Sequence, residues 1–138
     1  MKHLCAALLA VAMASAACGE SAGPGEPLTE LAKTRSGALD VVLLSADLAL
    51  STGKDTVTIE FRSASDGRLV DVGAVKASAM MVMTGMAPMF GPVDVERSTA
   101  PGRYVATSDL SMAGEWRLSL EWNGPAGQGA VTFSPRVN

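Results

Sequence analysis

The chain has 138 residues, enough for one domain. It is 48% hydrophobic and 18% charged, with 14 Gly, 7 Pro and a formal charge of -3. No Arg/Lys cluster appears, which excludes the electrostatic footprint of a nucleic-acid-binding protein.

Lys2 and His3 give a short positive start, and an apolar run from Leu4 to Ala14 follows. Small residues then close the segment at Ser15-Ala16-Ala17-Cys18. This pattern reads as an export signal, too short to span a bilayer by itself. Two cleavage readings stand. Ala14-Ser15-Ala16 fits signal peptidase cutting before Ala17. Ala16-Ala17-Cys18 resembles a lipobox, with Cys18 as the lipidated first residue, although Ser15 stands where a lipobox usually has Leu. A multiply acylated Cys18 would hold the protein on the periplasmic side of a bacterial membrane; otherwise it is secreted or periplasmic. Residues 1–17 are read as signal, 18–37 as a flexible tether and 38–138 as the folded domain. Gly19 to Pro27 has tether composition, and Leu28 to Lys33 makes one helical turn or nothing fixed. Beyond Cys18 there is no cysteine, so the domain has neither a disulfide nor a thiolate site.

From Ala38 the pattern has a period of two. Leu39, Val41 and Leu43 alternate with Asp40, Val42 and Leu44; Val57, Ile59 and Phe61 alternate with Thr56, Thr58 and Glu60. Ser65-Asp66-Gly67 is a turn, and Leu69 to Val72 a short edge piece. Val75, Ala77, Ala79, Met81 and Met83 share one strand face. Val93 and Val95 mark the next strand, and Pro101-Gly102 turns into Tyr104, Ala106 and Ser108. Trp116, Leu118, Leu120 and Trp122 point one way while Glu115, Arg117, Ser119 and Glu121 point the other. Asn123-Gly124-Pro125 ends that strand; Gly124 to Gly129 is a hairpin loop, and Val131 and Phe133 belong to a last strand. About seven short strands with Gly/Pro turns predict an all-β, immunoglobulin-like antiparallel β-sandwich.

Catalytic chemistry is missing. The only histidine, His3, lies in the signal, which removes the usual general base and the commonest metal ligand. There is no GxSxG motif, P-loop or dinucleotide fingerprint. Asp94 and Asp109 are isolated acids that solvate or cap turns. The protein is not expected to be an enzyme.

Methionine is the unusual feature. The stretch Ala79-Met80-Met81-Val82-Met83-Thr84-Gly85-Met86-Ala87-Pro88-Met89-Phe90-Gly91 holds five of the eight in the chain. Thioether sulfur is a neutral, soft donor that favours monovalent copper and silver. Met83, Met86 and Met89 recur around Gly85 and Pro88, a spacing that lets a bent loop turn several sulfurs inward. Met112 sits in another loop, before the Trp116 strand. These four are the candidate ligands for copper(I) or silver(I). Met80 and Met81 read as ordinary strand residues. Methionine also fills cores and makes adaptable contact surfaces, so an apolar patch for a protein partner is the alternative.

Met83 to Met89, then Gly102-Arg103-Tyr104, then Met112-Ala113-Gly114-Glu115-Trp116 together resemble the YtkA-like/FixH-like family of exported bacterial domains. The resemblance covers the chain from about Gly37 to the end. It implies an immunoglobulin-like sandwich and a copper-related accessory role beside a membrane metal-efflux or copper- or oxidase-assembly system. The Met-rich loop of the family falls on Met83 to Met89, and its Met-x-Gly-x-Trp on Met112, Gly114 and Trp116. Relatives often carry a His near the end of that loop. Here Met89-Phe90-Gly91 has none, which points to copper(I) over the divalent ion.

Overall fold

The computed structural model describes residues 27–138. The signal segment, Cys18 and the first part of the tether lie outside the described residues.

Two antiparallel sheets stack face to face. The first is formed by β1 (Thr29–Ser36), β2 (Leu39–Ser45), β3 (Gly53–Ser63), β7 (Arg103–Leu110) and β6 (Val93–Arg97), in the order β1-β2-β3-β7-β6. The second is formed by β10 (Gly127–Phe133), β9 (Arg117–Gly124), β4 (Ala74–Met81) and β5 (Met89–Gly91), in the order β10-β9-β4-β5. A small ladder pairs β8 (Gly114–Glu115) with β11 (Arg136–Val137). This is an all-β antiparallel sandwich, as the alternating pattern predicts. The elements that the pattern did not separate are the short or irregular ones: β1, β5, β8 and β11.

β1 corrects the expectation for residues 18–37. Thr29 to Ser36 is neither tether nor helical turn but an edge strand paired with β2 from Thr29↔Ser45 to Ser36↔Leu39. The folded domain therefore starts about nine residues before Ala38 (38 − 29). The register shifts between Glu30 and Ala32, so the period of two is broken and hidden in the sequence. Partners remote from simple patterning stabilise the strand: Lys33 Nζ lies 3.1 Å and Arg35 Nε 2.9 Å from the Asp40 carboxylate.

The core lies between the sheets. Val41 and Leu43 of β2 enter it, while Val42 and Leu44 on the opposite face of the same strand are also buried. Phe61 meets Tyr104 and Trp122 edge-on, at centroid distances of 5.5 and 5.1 Å. The Tyr104 hydroxyl donates to Gly73 O at 2.7 Å, which ties β7 to the segment entering β4. Burial raises the Tyr104 pKa above its ordinary value. Trp116, between β8 and β9, is fully buried. The small cavity beside it is lined by Leu50, Val57, Leu110 and Ser108. Ser108 Oγ is buried there without a hydrogen-bond partner.

Strand directions sort the connections onto two ends. One end carries the turns at 37–38, 64–73, 98–102 and 125–126. The other carries the start of β1, loop 46–52, loop 82–88, turn 111–113 and the C-terminal segment. There Asn138 N donates to Leu50 O and Trp116 N to Pro135 O, at 2.8 and 3.2 Å.

Candidate functional site

The methionines cluster on this second end, termed the Met pole. β4 and β5 form a hairpin whose connection is the Met-rich loop, with Met81 opposite Met89 and Met80 opposite Phe90. Met86 N donates to Met83 O at 3.3 Å, which closes the bend. Gly85 adopts a φ of 78°, a left-handed conformation that a β-carbon would strain.

A second turn, 111–113, packs beside the hairpin. Its anchor is Trp116, whose indole N–H donates to Met112 O at 3.0 Å. Gly114 follows with a φ of 139°. A β-carbon there would lie 2.6 Å from the Met81 methyl carbon, the flexible end of that side chain, so the turn lies close against the hairpin, and the backbone angle is what favours glycine. Gly91 makes a similar close approach on β5. A β-carbon at Gly91 would sit 2.5 Å from Leu110 Cδ2 and 3.2 Å from the Trp116 ring. Both faces of the site thus lean on one indole.

The four predicted ligand residues fall into two pairs. Met83 and Met89 are half-buried and pack against the core. Met86 and Met112 are exposed. The two turns that carry them adjoin through Met81 and Gly114. Met81 was expected to be a plain strand residue. It is buried as such, yet it also bridges the hairpin and the Met112 turn. The signal for it was present in the sequence, since Met81 and Met83 share a period-two face, but the Gly114 contact is long-range.

The two turns have thioether side chains in common. Among the described residues, no group of three or more His, Cys, Asp or Glu side chains converges to hold a metal. Thioether sulfur is in general a soft donor, suited to monovalent copper or silver more than to the oxygen coordination of calcium. Val82 and Phe90, on the same hairpin, are exposed and carry no donor atom. The sequence reading did not single them out.

Comparison with known proteins follows the same lines. The sequence model of the family described as YtkA-like matches residues 34–121, well over half of the chain, and the chain belongs to that family. It is a small accessory-type domain. The match includes the Met-rich hairpin, Gly102-Arg103-Tyr104 and the Met112 turn, and ends before β10. No curated protein matches the chain. Among solved structures, the ZirS C-terminal domain is similar over 97% of each chain, with 13% identity and a TM-score of 0.46.

Proposed function

We propose that this domain handles monovalent copper, or silver, outside the cytoplasm as a non-catalytic accessory module attached to a membrane through Cys18. Met83, Met86, Met89 and Met112 would supply the thioether donors. Gly85 and Pro88 shape the hairpin loop, and Trp116 positions the Met112 turn. The observation that carries the reading is the packing of the Met112 turn against the Met-rich hairpin. Two methionine-bearing turns far apart in the sequence thus share one end of the sandwich, which supports the reading. A thioether needs no deprotonation to bind and, unlike a free thiol, persists in an oxidising compartment. The ion is cargo here: the residues hold it and give it up, and no bond of a substrate is made or broken. The receiving partner on this reading is a membrane efflux or copper-assembly protein.

The test is anaerobic titration with Cu(I) against a competing chelator. Replacing Met83, Met86, Met89 and Met112 together by Leu keeps the apolar bulk and removes the soft donors. The expected result is a loss of affinity of about a hundredfold or more, by the scale of roughly tenfold per 1.4 kcal/mol. Equal affinity in the parent and the Leu variant would sink the proposal.

A second reading rests on Val82 and Phe90. Exposed apolar groups without donors on the same hairpin fit a contact surface. That reading predicts that the Leu variant keeps full function.

A further inference from the structure

We propose that the Met pole docks onto the bilayer surface, with its apolar side chains in the lipid–water interface. This inference rests on the export and anchoring part of the proposed function, and is independent of metal binding.

The large hydrophobic side chains left exposed among the described residues are Leu28, Leu48, Val82, Met86, Phe90 and Met112. They come from four separate segments: the start of β1, loop 46–52, the β4–β5 hairpin and turn 111–113. Antiparallel pairing brings all four to the same end. Leu48 and Phe90 are the most exposed, at 86% and 74%, and neither has a donor atom that would explain its position by metal chemistry. Selection for solubility alone would not leave six such side chains on one end of a sandwich and none among the turns of the other.

The polypeptide also reaches the domain at this end, because β1 begins at Thr29 opposite Ser45. Ten residues, 19–28, separate Cys18 from Thr29. Fully extended, they span at most about 35 Å. A lipid on Cys18 therefore keeps the Met pole close to the membrane. Weak intrinsic affinity suffices once an anchor raises the local concentration.

Two features favour lipid over a protein strand as the occupant. β5 is the edge of its sheet, but Pro88 and Pro92 bracket it, which blocks extension of the sheet by a partner strand. Exposed charges of both signs surround the apolar groups, with acids in slight excess: Glu30, Asp47, Asp109 and Glu115 against Lys54, Arg117 and Arg136. Docking is therefore apolar insertion and not attraction to anionic headgroups.

The test couples chain 18–138, which keeps every described residue, through the Cys18 thiol to a maleimide phospholipid in brominated phosphatidylcholine vesicles. Reporter tryptophans are placed at Leu48→Trp, Phe90→Trp and, on the opposite end, Ala126→Trp. Read as the difference from the parent chain, whose Trp116 and Trp122 are buried, the emission added by the first two reporters is quenched roughly twofold relative to unbrominated vesicles, and that added by the third is unchanged. Equal behaviour of all three overturns the proposal and leaves the pole to a protein partner. Hydrogen exchange on the unsubstituted coupled chain provides a second readout. Segments 46–49 and 82–90 slow on vesicles, whereas 98–102 does not; uniform exchange also overturns the proposal. Cu(I) titration of Leu48→Ser/Phe90→Ser separates the two ideas. Docking is lost with metal affinity intact, whereas the Met-to-Leu set loses metal and keeps docking.

Discussion

At the end of the sandwich away from the methionines, charge does the cross-linking. Arg35 and Lys33 hold Asp40, Arg62 and Arg103 hold Glu60, Arg68 holds Asp66, and Arg97 holds Asp71. At the Met pole no ion pair forms among the described residues. Its turns are held instead by the buried Trp116 indole, by glycines that permit close approach, and by the backbone hydrogen bonds of the C-terminal segment. The two ends share one core but differ in the surface they offer. A surface whose charges satisfy one another is content in water. One that exposes Met86, Phe90 and Leu48 leaves apolar area in contact with water. On the proposed function the Met pole is the working end and the ion-paired end is scaffold.

That contrast can be broken experimentally. Trp116→Ala should have the largest effect, a loss of about 3–5 kcal/mol in urea unfolding, because a fully buried indole leaves a cavity. The same change frees Met112 O, so Cu(I) affinity should fall even in the fraction that remains folded. Unchanged stability would show that the Met pole does not depend on this anchor.

Glu60→Ala probes the scaffold end. Its buried carboxylate accepts from Arg62 Nε at 2.7 Å and Arg103 Nε at 2.8 Å. Losing these charge-assisted bonds should cost about 2 kcal/mol in the same assay. Metal binding should be untouched, and a change in it would refute the division of labour.

Acid provides a gentler probe. The Arg35 hydrogen bond holds the Asp40 carboxyl below its ordinary pKa, against a smaller opposing effect of desolvation, with Lys33 helping. The neighbouring Arg68 backbone and side chain do the same to Asp66. A carboxyl depressed in the folded state binds fewer protons folded than unfolded, so its contribution is present above the unfolded value of about 3.9 and fades as pH falls through the folded one. Asp40→Asn should therefore flatten the acid limb of the stability profile below about pH 4 and leave the Met pole unaffected. An acid limb identical to that of the parent would remove the scaffold role of this pair.

The smallest expected effect on stability belongs to Met86→Leu with Met112→Leu. Both side chains are exposed, so unfolding free energy should move by less than about 0.5 kcal/mol. A larger shift would mean that these sulfurs pack in the fold and are not held free for a ligand.

Alternation made the sandwich legible. Val57-Ile59-Phe61 and Trp116-Leu118-Leu120-Trp122 announce strands because a half-buried sheet sorts side chains by parity. β1 escaped because its bulge at Glu30/Ala32 disrupts parity, and because Lys33 and Arg35 find Asp40 only after the hairpin closes. The candidate site was half legible. The crowding of methionine around Gly85 and Pro88 marks the hairpin in any reading. The part played by Met81, and the exposure of Leu48 and Phe90, depend on what lies across a ladder or beside another turn.

By itself the sequence determined the strand periodicity, the absence of histidine and cysteine from the domain, and the crowding of thioethers around Gly85 and Pro88. Those are properties of composition and of spacing along a line. Only the tertiary structure decided that the Met112 turn seats against Met81, and that six exposed apolar side chains and the incoming N-terminal segment share one end. Such neighbours are set by how antiparallel strands alternate direction across two stacked sheets, and a linear pattern does not carry that information.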